Sequence, residues 1–184
     1  TLNDGLNYCR NEWVFRMDTD DICVPERFEK QVAFIEANPD VIIFGGQIAE
    51  FGQNIQDIVA YRNVPTDLQN IRKFARLRCP FNHMTVAYQK SKVIECGGYQ
   101  GLQEDYTLWI KMIATGLKVA NLPDMLVYAR VGNGMVGRCR GWNQFAYEWT
   151  LYRLKNRCHI HDPISGFPIF LMRAIPRILP LALL

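Results

Sequence analysis

The stretch Trp13-Val14-Phe15-Arg16-Met17-Asp18-Thr19-Asp20-Asp21 decides how the rest of the chain is read. A short apolar run reads as a buried strand, and here it delivers a cluster of carboxylates at its carboxyl end. In open α/β sheets that end is where ligands bind. Two carboxylates with one residue between them can hold a hard divalent cation through oxygen, and such a cation bridges to phosphates. Mg²⁺ or Mn²⁺ suits oxygen-only ligation. A bare Asp-x-Asp has a plainer reading too, in which Asp21 caps the next helix and the remainder is a solvated turn.

Two rival motifs share this opening. An EF-hand loop from Asp18 is excluded, because Ile22 replaces a ligand and Cys23 replaces the required Gly. A phosphatase of the haloacid dehalogenase kind also places Asp-x-Asp after an apolar strand. Here Arg16 interrupts that strand, Ile22 stands where Thr or Val is expected, and no acidic motif follows a suitable Lys.

Upstream, Leu2, Leu6 and Cys9 fall on one helical face. A chain that opens inside an element implies an expected upstream segment. Downstream, Pro25 and Glu26 open a helix with Phe28, Val32 and Ile35 as its apolar face, stopped at Asn38-Pro39. Val41–Phe44 is strand-like, Gly45-Gly46 reads as a break, and strand resumes to Phe51. Thr66-x-x-Gln69 reads as a capping box for a helix with Leu68, Ile71, Phe74 and Leu77 inward. Met84–Tyr88 reads as a strand, and Lys90–Glu95 as a helix stopped by Gly97-Gly98. Glu104–Ala114 reads as a helix with Tyr106, Trp109 and Ile113 on one face, which makes Trp109 core. Val119–Leu122 and Met125–Ala129 read as two strands, and 141–157 as a helix. The alternation gives an α/β class with a largely parallel sheet and some antiparallel strands.

Composition agrees with one globular domain: 184 residues, 49% hydrophobic and 21% charged. A formal charge of +3 is too small to argue for nucleic acid. Six scattered cysteines with no Cys-x-x-Cys pair argue against zinc and for reduced thiols in a cytosolic protein.

A second acidic cluster follows the Gly97-Gly98-Tyr99 turn: Gln103-Glu104-Asp105 opens the 104–114 helix. Carboxylates there are stabilised by the helix dipole, which is ordinary capping. A carboxylate so placed can also serve as a general base toward a hydroxyl.

Taken together, the blocks at 15–41, 80–116 and 126–138 resemble successive blocks of family 2 glycosyltransferases, nearest to those of bacterial capsule, exopolysaccharide and O-antigen assembly. The resemblance covers about residues 1–140. It implies a GT-A fold, a nucleotide-sugar donor, and Mn²⁺ or Mg²⁺. It implies Asp18 and Asp20 as metal and diphosphate ligands, supported by Asp21. Asp105 becomes the general base, with Glu104 beside it on a sugar, in an inverting displacement. His83, Gly98, Tyr99 and Arg130 become candidates for substrate binding. The family's opening β-α-β portion, which cradles the donor's base and ribose, is absent from this sequence.

Residues 167–184 are apolar but carry Arg173, Arg177 and three prolines. Central arginines and an interior proline oppose a membrane span and favour an interfacial segment at the inner face of the cytoplasmic membrane, or a tail packed on the domain. The expected division is a catalytic part, 1–135, and a helical extension, 136–184. The implied activity is sugar transfer to a hydroxyl of a lipid-linked glycan. The alternatives are a non-catalytic, membrane-associated assembly subunit and the phosphatase.

Overall fold

The computed structural model describes residues 2–101, 104–132 and 141–179. Gln103, Cys139, the expected boundary at 135/136 and the end of the tail from Pro180 lie outside the described residues. The helices are α1 (Leu2–Tyr8), α2 (Arg27–Ala37), α3 (Leu68–Phe74), α4 (Lys90–Glu95), α5 (Glu104–Ala114), α6 (Trp142–Arg157) and α7 (Pro163–Ile178). The strands are β1 (Trp13–Phe15), β2 (Ile22–Cys23), β3 (Val41–Phe51), β4 (Ile58–Arg62), β5 (Ala87–Gln89) and β6 (Lys118–Arg130). They form one mixed sheet in the order β1-β5-β3-β6-β2, with β4 also on β3. β3 and β6 run parallel, and the other pairings are antiparallel. The expectation of a largely parallel sheet is therefore corrected for the described strands. β1 is a half-buried edge strand, not a buried one.

The principal core joins the sheet to α5 through Trp109, Ile110, Ile113, Phe81 and Ile43, all fully buried. Trp109 meets Phe81, Tyr88 and Tyr99 through ring contacts, so it is core as expected.

Gly45-Gly46 does not break β3, because the pair lets another chain segment approach closely. β5 pairs with β3 at Ile43 and Phe44, and β4 takes over from Ile48. In the gap, the Gly46 N–H donates to Thr85 Oγ1 (2.9 Å), while on the β6 side the Gly45 N–H donates to Asn121 Oδ1 (3.1 Å). Asn82 Nδ2 donates to the Gly46 carbonyl at 2.9 Å. The 82–85 segment, a 3₁₀ turn over His83–Thr85 where a strand is expected, thus docks against the glycines. A Cβ on Gly45 would sit 2.8 Å from Thr85 Oγ1 and 3.0 Å from Asn121 Oδ1. Gly45→Ala is expected to cost about 1–3 kcal/mol in urea unfolding, as overpacking of a buried site does. Wild-type stability in that variant would refute the close-approach role.

Other expectations are corrected by side chains that serve backbone groups. α2 turns Arg27 and Gln31 inward, both at 0% exposure, while Phe28 and Val32 are 53% and 46% exposed. Gln31 donates to the Thr85 carbonyl and Arg27 to the Arg16 carbonyl. The inward polar pair thus satisfies buried carbonyls that apolar side chains would leave unpaired. α3 is capped by Asp67, whose carboxylate accepts from the Asn70 N–H, not by Thr66. The two expected strands at 119–129 are one, β6, with a bulge around Pro123. Two steps along β3, Gly45 to Gln47, oppose four along β6, Asn121 to Met125, which absorbs the proline.

α6 and α7 pack as a helical pair. Arg173 forks onto Glu148 through Nε (2.8 Å) and Nη2 (2.9 Å), and Arg177 lies 3.6 Å from the same carboxylate. The two arginines face protein, as in the packed-tail reading. Ile164, Phe167, Met172 and Ile175 are left exposed on α7. Among the described residues, no helix is long and apolar enough to cross a membrane.

Candidate functional site

Both acidic clusters converge at the end of β1. The Arg16 N–H donates to the Val86 carbonyl at 2.9 Å, which extends the β1–β5 pairing toward Asp18. The docked 82–85 turn presents His83 to the same place, and its Nε2 lies 2.8 Å from Asp18 Oδ2. Arg16 then joins the clusters. Its Nη1 bonds Asp105 Oδ1, and its Nη2 lies 3.6 Å from Asp18 Oδ1. His83 Nδ1 lies 3.9 Å from Asp105 Oδ2, beyond hydrogen-bond range. Residues 87 apart in sequence therefore share one guanidinium.

Electrostatics differ within the first cluster. The His83 hydrogen bond, outweighing burial and aided by Arg16, holds the Asp18 carboxyl below its usual range. Burial pushes the Asp21 carboxyl up, and the charges of Asp18 and Asp20 add to that push. For Arg16, burial opposes the charge, but Asp105 outweighs it together with Tyr99 and Asp18, so the guanidinium stays firmly cationic.

The remaining expected residues play distinct parts. Asp21 Oδ1 accepts from the Arg130 backbone N–H at 2.8 Å and so fixes the loop to β6. The Arg130 side chain donates to the carbonyls of Asp20, Gly52 and Gln53, and its guanidinium lies 4.6 Å from the Phe51 ring centroid. It clamps the acidic loop to the ends of β3 and β6. Gly98 adopts φ +66°, with Asn3 Oδ1 2.7 Å from where a Cβ would stand. Tyr99 is 3% exposed, and Arg16 lies 5.9 Å over its ring, so Tyr99 forms a floor beneath the guanidinium. Glu104 and Asp105 occupy the first turn of α5.

Arg16 is the residue that the sequence reading leaves without a role. Its signal was a charge inside an otherwise apolar strand. Arg27 was likewise hidden, and its guanidinium holds the Arg16 carbonyl at 2.6 Å.

Asp18 and Asp20 supply the oxygen donors that Mg²⁺ or Mn²⁺ prefers. No group of three or more potential metal-ligating side chains converges among the described residues. Mg²⁺ is commonly held by one or two carboxylates plus substrate phosphates, so two carboxylates on one loop fit such an ion.

Comparison with known proteins places these features in context. The sequence matches glycosyl transferase family 2 over residues 1–102. An uncharacterized glycosyltransferase of Haemophilus influenzae is 68% identical over 183 residues, with 100% of this chain and 68% of that protein covered. The amylovoran biosynthesis glycosyltransferase AmsE of Erwinia amylovora is 44% identical, with 97% and 67% covered. The UDP-Gal:alpha-D-GlcNAc-diphosphoundecaprenol beta-1,3-galactosyltransferase of Escherichia coli is 38% identical, with 96% and 63% covered. The fold matches the crystal structure of S. aureus TarS 1-349 with a TM-score of 0.58 at 16% identity, covering 95% of this chain and 49% of that one. The same protein in complex with UDP matches equally, at 17% identity over 92% of this chain and 48% of that one.

Proposed function

Because the chain belongs to glycosyl transferase family 2 and has the GT-A fold, we propose that it transfers a sugar from a nucleotide-sugar donor to a hydroxyl of a lipid-linked glycan, in bacterial surface polysaccharide synthesis. The observation that carries this reading is the bond from Arg16 to Asp105 beside Asp18. It puts a hydroxyl-activating carboxylate next to a carboxylate pair suited to a donor's phosphates.

In this reading Asp105 Oδ1 is held by Arg16, and Oδ2 faces the acceptor. Oδ2 takes the proton from the acceptor hydroxyl as that oxygen bonds to the anomeric carbon of the donor. The bond from that carbon to the diphosphate breaks on the opposite face, so configuration inverts. Asp18 and Asp20 would hold the divalent cation, which neutralises charge on the departing nucleoside diphosphate when bound. His83 orients Asp18, and Glu104 contacts a sugar beside the base. The division at about residue 135 and peripheral attachment at the inner membrane face belong to the same proposal. The exposed apolar side chains of α7 support attachment, because Arg173 and Arg177 are turned away from them.

Family membership speaks against the phosphatase, and the intact Asp18, Asp20 and Asp105 against a non-catalytic subunit. The test uses the protein expressed from its natural start codon to its natural stop codon. It is incubated with UDP-, GDP- and dTDP-sugars, membrane lipid extract as acceptor, and Mn²⁺ or EDTA. Nucleoside diphosphate release from one donor, abolished by EDTA and by Asp18→Ala, is the expected result. Release from none would sink the proposal, and retention of anomeric configuration in the product would sink its inverting step.

A further inference from the structure

A second charged surface lies across α5 from the acidic site. Thr107 and Lys111 of α5 face Thr150, Arg153 and Arg157 of α6 across a groove of about 340 Å³. The groove continues as a second lobe of about 300 Å³ toward Asn143 and Tyr147. Gln100 and Gly101, in the turn before α5, line both lobes.

Its charge is one-sided. Lys111, Arg153 and Arg157 contribute three cations, and no carboxylate among the described residues lines either lobe. Lys111 Nζ donates to Gln100 Oε1 at 3.2 Å. None of the three cations stands in an ion pair among the described residues. The contrast with Arg16, Lys30, Lys92, Lys118 and Arg173 is plain, since each of those meets a carboxylate. Arg153 and Arg157 are four apart on α6 and share a face. Arginine forks match phosphate oxygens, and a lysine adds a point charge.

The groove also has a defined relation to the base. Thr107 lies two residues after Asp105 and so projects from the far side of α5. Lys111 is six residues on, about 9 Å along the helix axis.

We propose that this groove binds the diphosphate of the lipid-linked acceptor, at least one sugar away from the reacting hydroxyl. The inference rests on the transferase reading for what the ligand is. A doubly charged diphosphate diester is repelled by the metal-free acidic cluster and attracted by three uncompensated cations. The groove therefore sorts acceptors by their anionic linker and leaves the acidic side to the donor.

The test is direct binding in EDTA, which disables the metal-dependent donor site. Dodecyl diphosphate is the probe and dodecyl maltoside the neutral control. The wild-type full-length protein is expected to bind the diphosphate with an affinity that falls as salt is raised. Arg153→Gln/Arg157→Gln should weaken it about tenfold, as loss of charge-assisted contacts does. Circular dichroism checks that this exposed pair leaves the fold unchanged, and Lys111→Gln serves as an independent variant. Equal binding by wild type and both variants overturns the proposal. Flotation on vesicles of phosphatidylglycerol or phosphatidylcholine separates the other phosphate source. If the variants lose flotation on the anionic vesicles and keep diphosphate binding, the cations serve bilayer headgroups and the proposal fails. No transfer is read here, so an inactive enzyme would strike the transferase reading without altering this result.

Discussion

Asp105→Asn is expected to lower kcat for sugar transfer by about 10³-fold, within the range ascribed to a positioned general base. The substitution is nearly isosteric. The amide oxygen can still accept from Arg16, so the guanidinium keeps a partner and the fold should hold. What is lost is the ability of the second oxygen to take a proton. Donor KM should stay within about threefold, because the proposed function assigns the donor phosphates to the Asp18 side of the site. Asp18→Asn should show the opposite balance, with donor KM raised and EDTA sensitivity blunted. Steady-state kinetics on both variants, with melting temperatures alongside, makes the comparison. A loss under tenfold in kcat for Asp105→Asn would move the base elsewhere, with Glu104 the next to test.

The largest expected effect on stability is at Glu148. Its side chain is 2% exposed and receives the fork of Arg173, with Arg177 at 3.6 Å. Lys155 is buried beside them, and its pKa is pulled down to about 7 by burial first and by Arg173 second. Lys155 also donates to the Arg76 carbonyl at 2.9 Å, tying α6 to the end of α3. Glu148→Ala would leave the half-buried Arg173 and Arg177 without the carboxylate they share. Breaking a buried pair from one side costs about 3–5 kcal/mol, because the remaining charge is uncompensated. The expected outcome is a urea midpoint lowered accordingly, with early proteolytic cleavage between α6 and α7. Activity should fall as well. Tyr106, the residue after the proposed base, lies 4.7 Å under Lys155 and 5.9 Å under Arg173. An unchanged midpoint would mean that the ion pair does not hold the helical pair in place.

Much of the site was legible because its chemistry is local in sequence. Asp18, Asp20 and Asp21 follow a short apolar run, and Glu104 and Asp105 open an amphipathic helix with the expected bounds. α4, too, begins and ends where Lys90–Glu95 and the glycines place it. These are features that a few neighbouring side chains and backbone groups decide among themselves. The errors have a common origin in long-range hydrogen bonding. Phe28 and Val32 looked like a buried face, but Arg27 and Gln31 took it because distant carbonyls at Arg16 and Thr85 needed donors. Gly45-Gly46 looked like a break, yet the glycines keep β3 continuous so that the 82–85 turn can dock. Val119–Leu122 and Met125–Ala129 looked like two strands, but they are one, with the intervening Pro123 absorbed by a bulge against β3.

By itself, the sequence determined which residues carry the acids and which helix presents Asp105, because strand ends, caps and periodicity act over a few residues. The tertiary structure alone decided that Arg16 joins Asp105 to Asp18, that His83 reaches Asp18, and that Arg173 and Arg177 turn onto Glu148. Those pairings depend on the packing of segments 25 to 89 residues apart, and no local propensity encodes a partner at that distance.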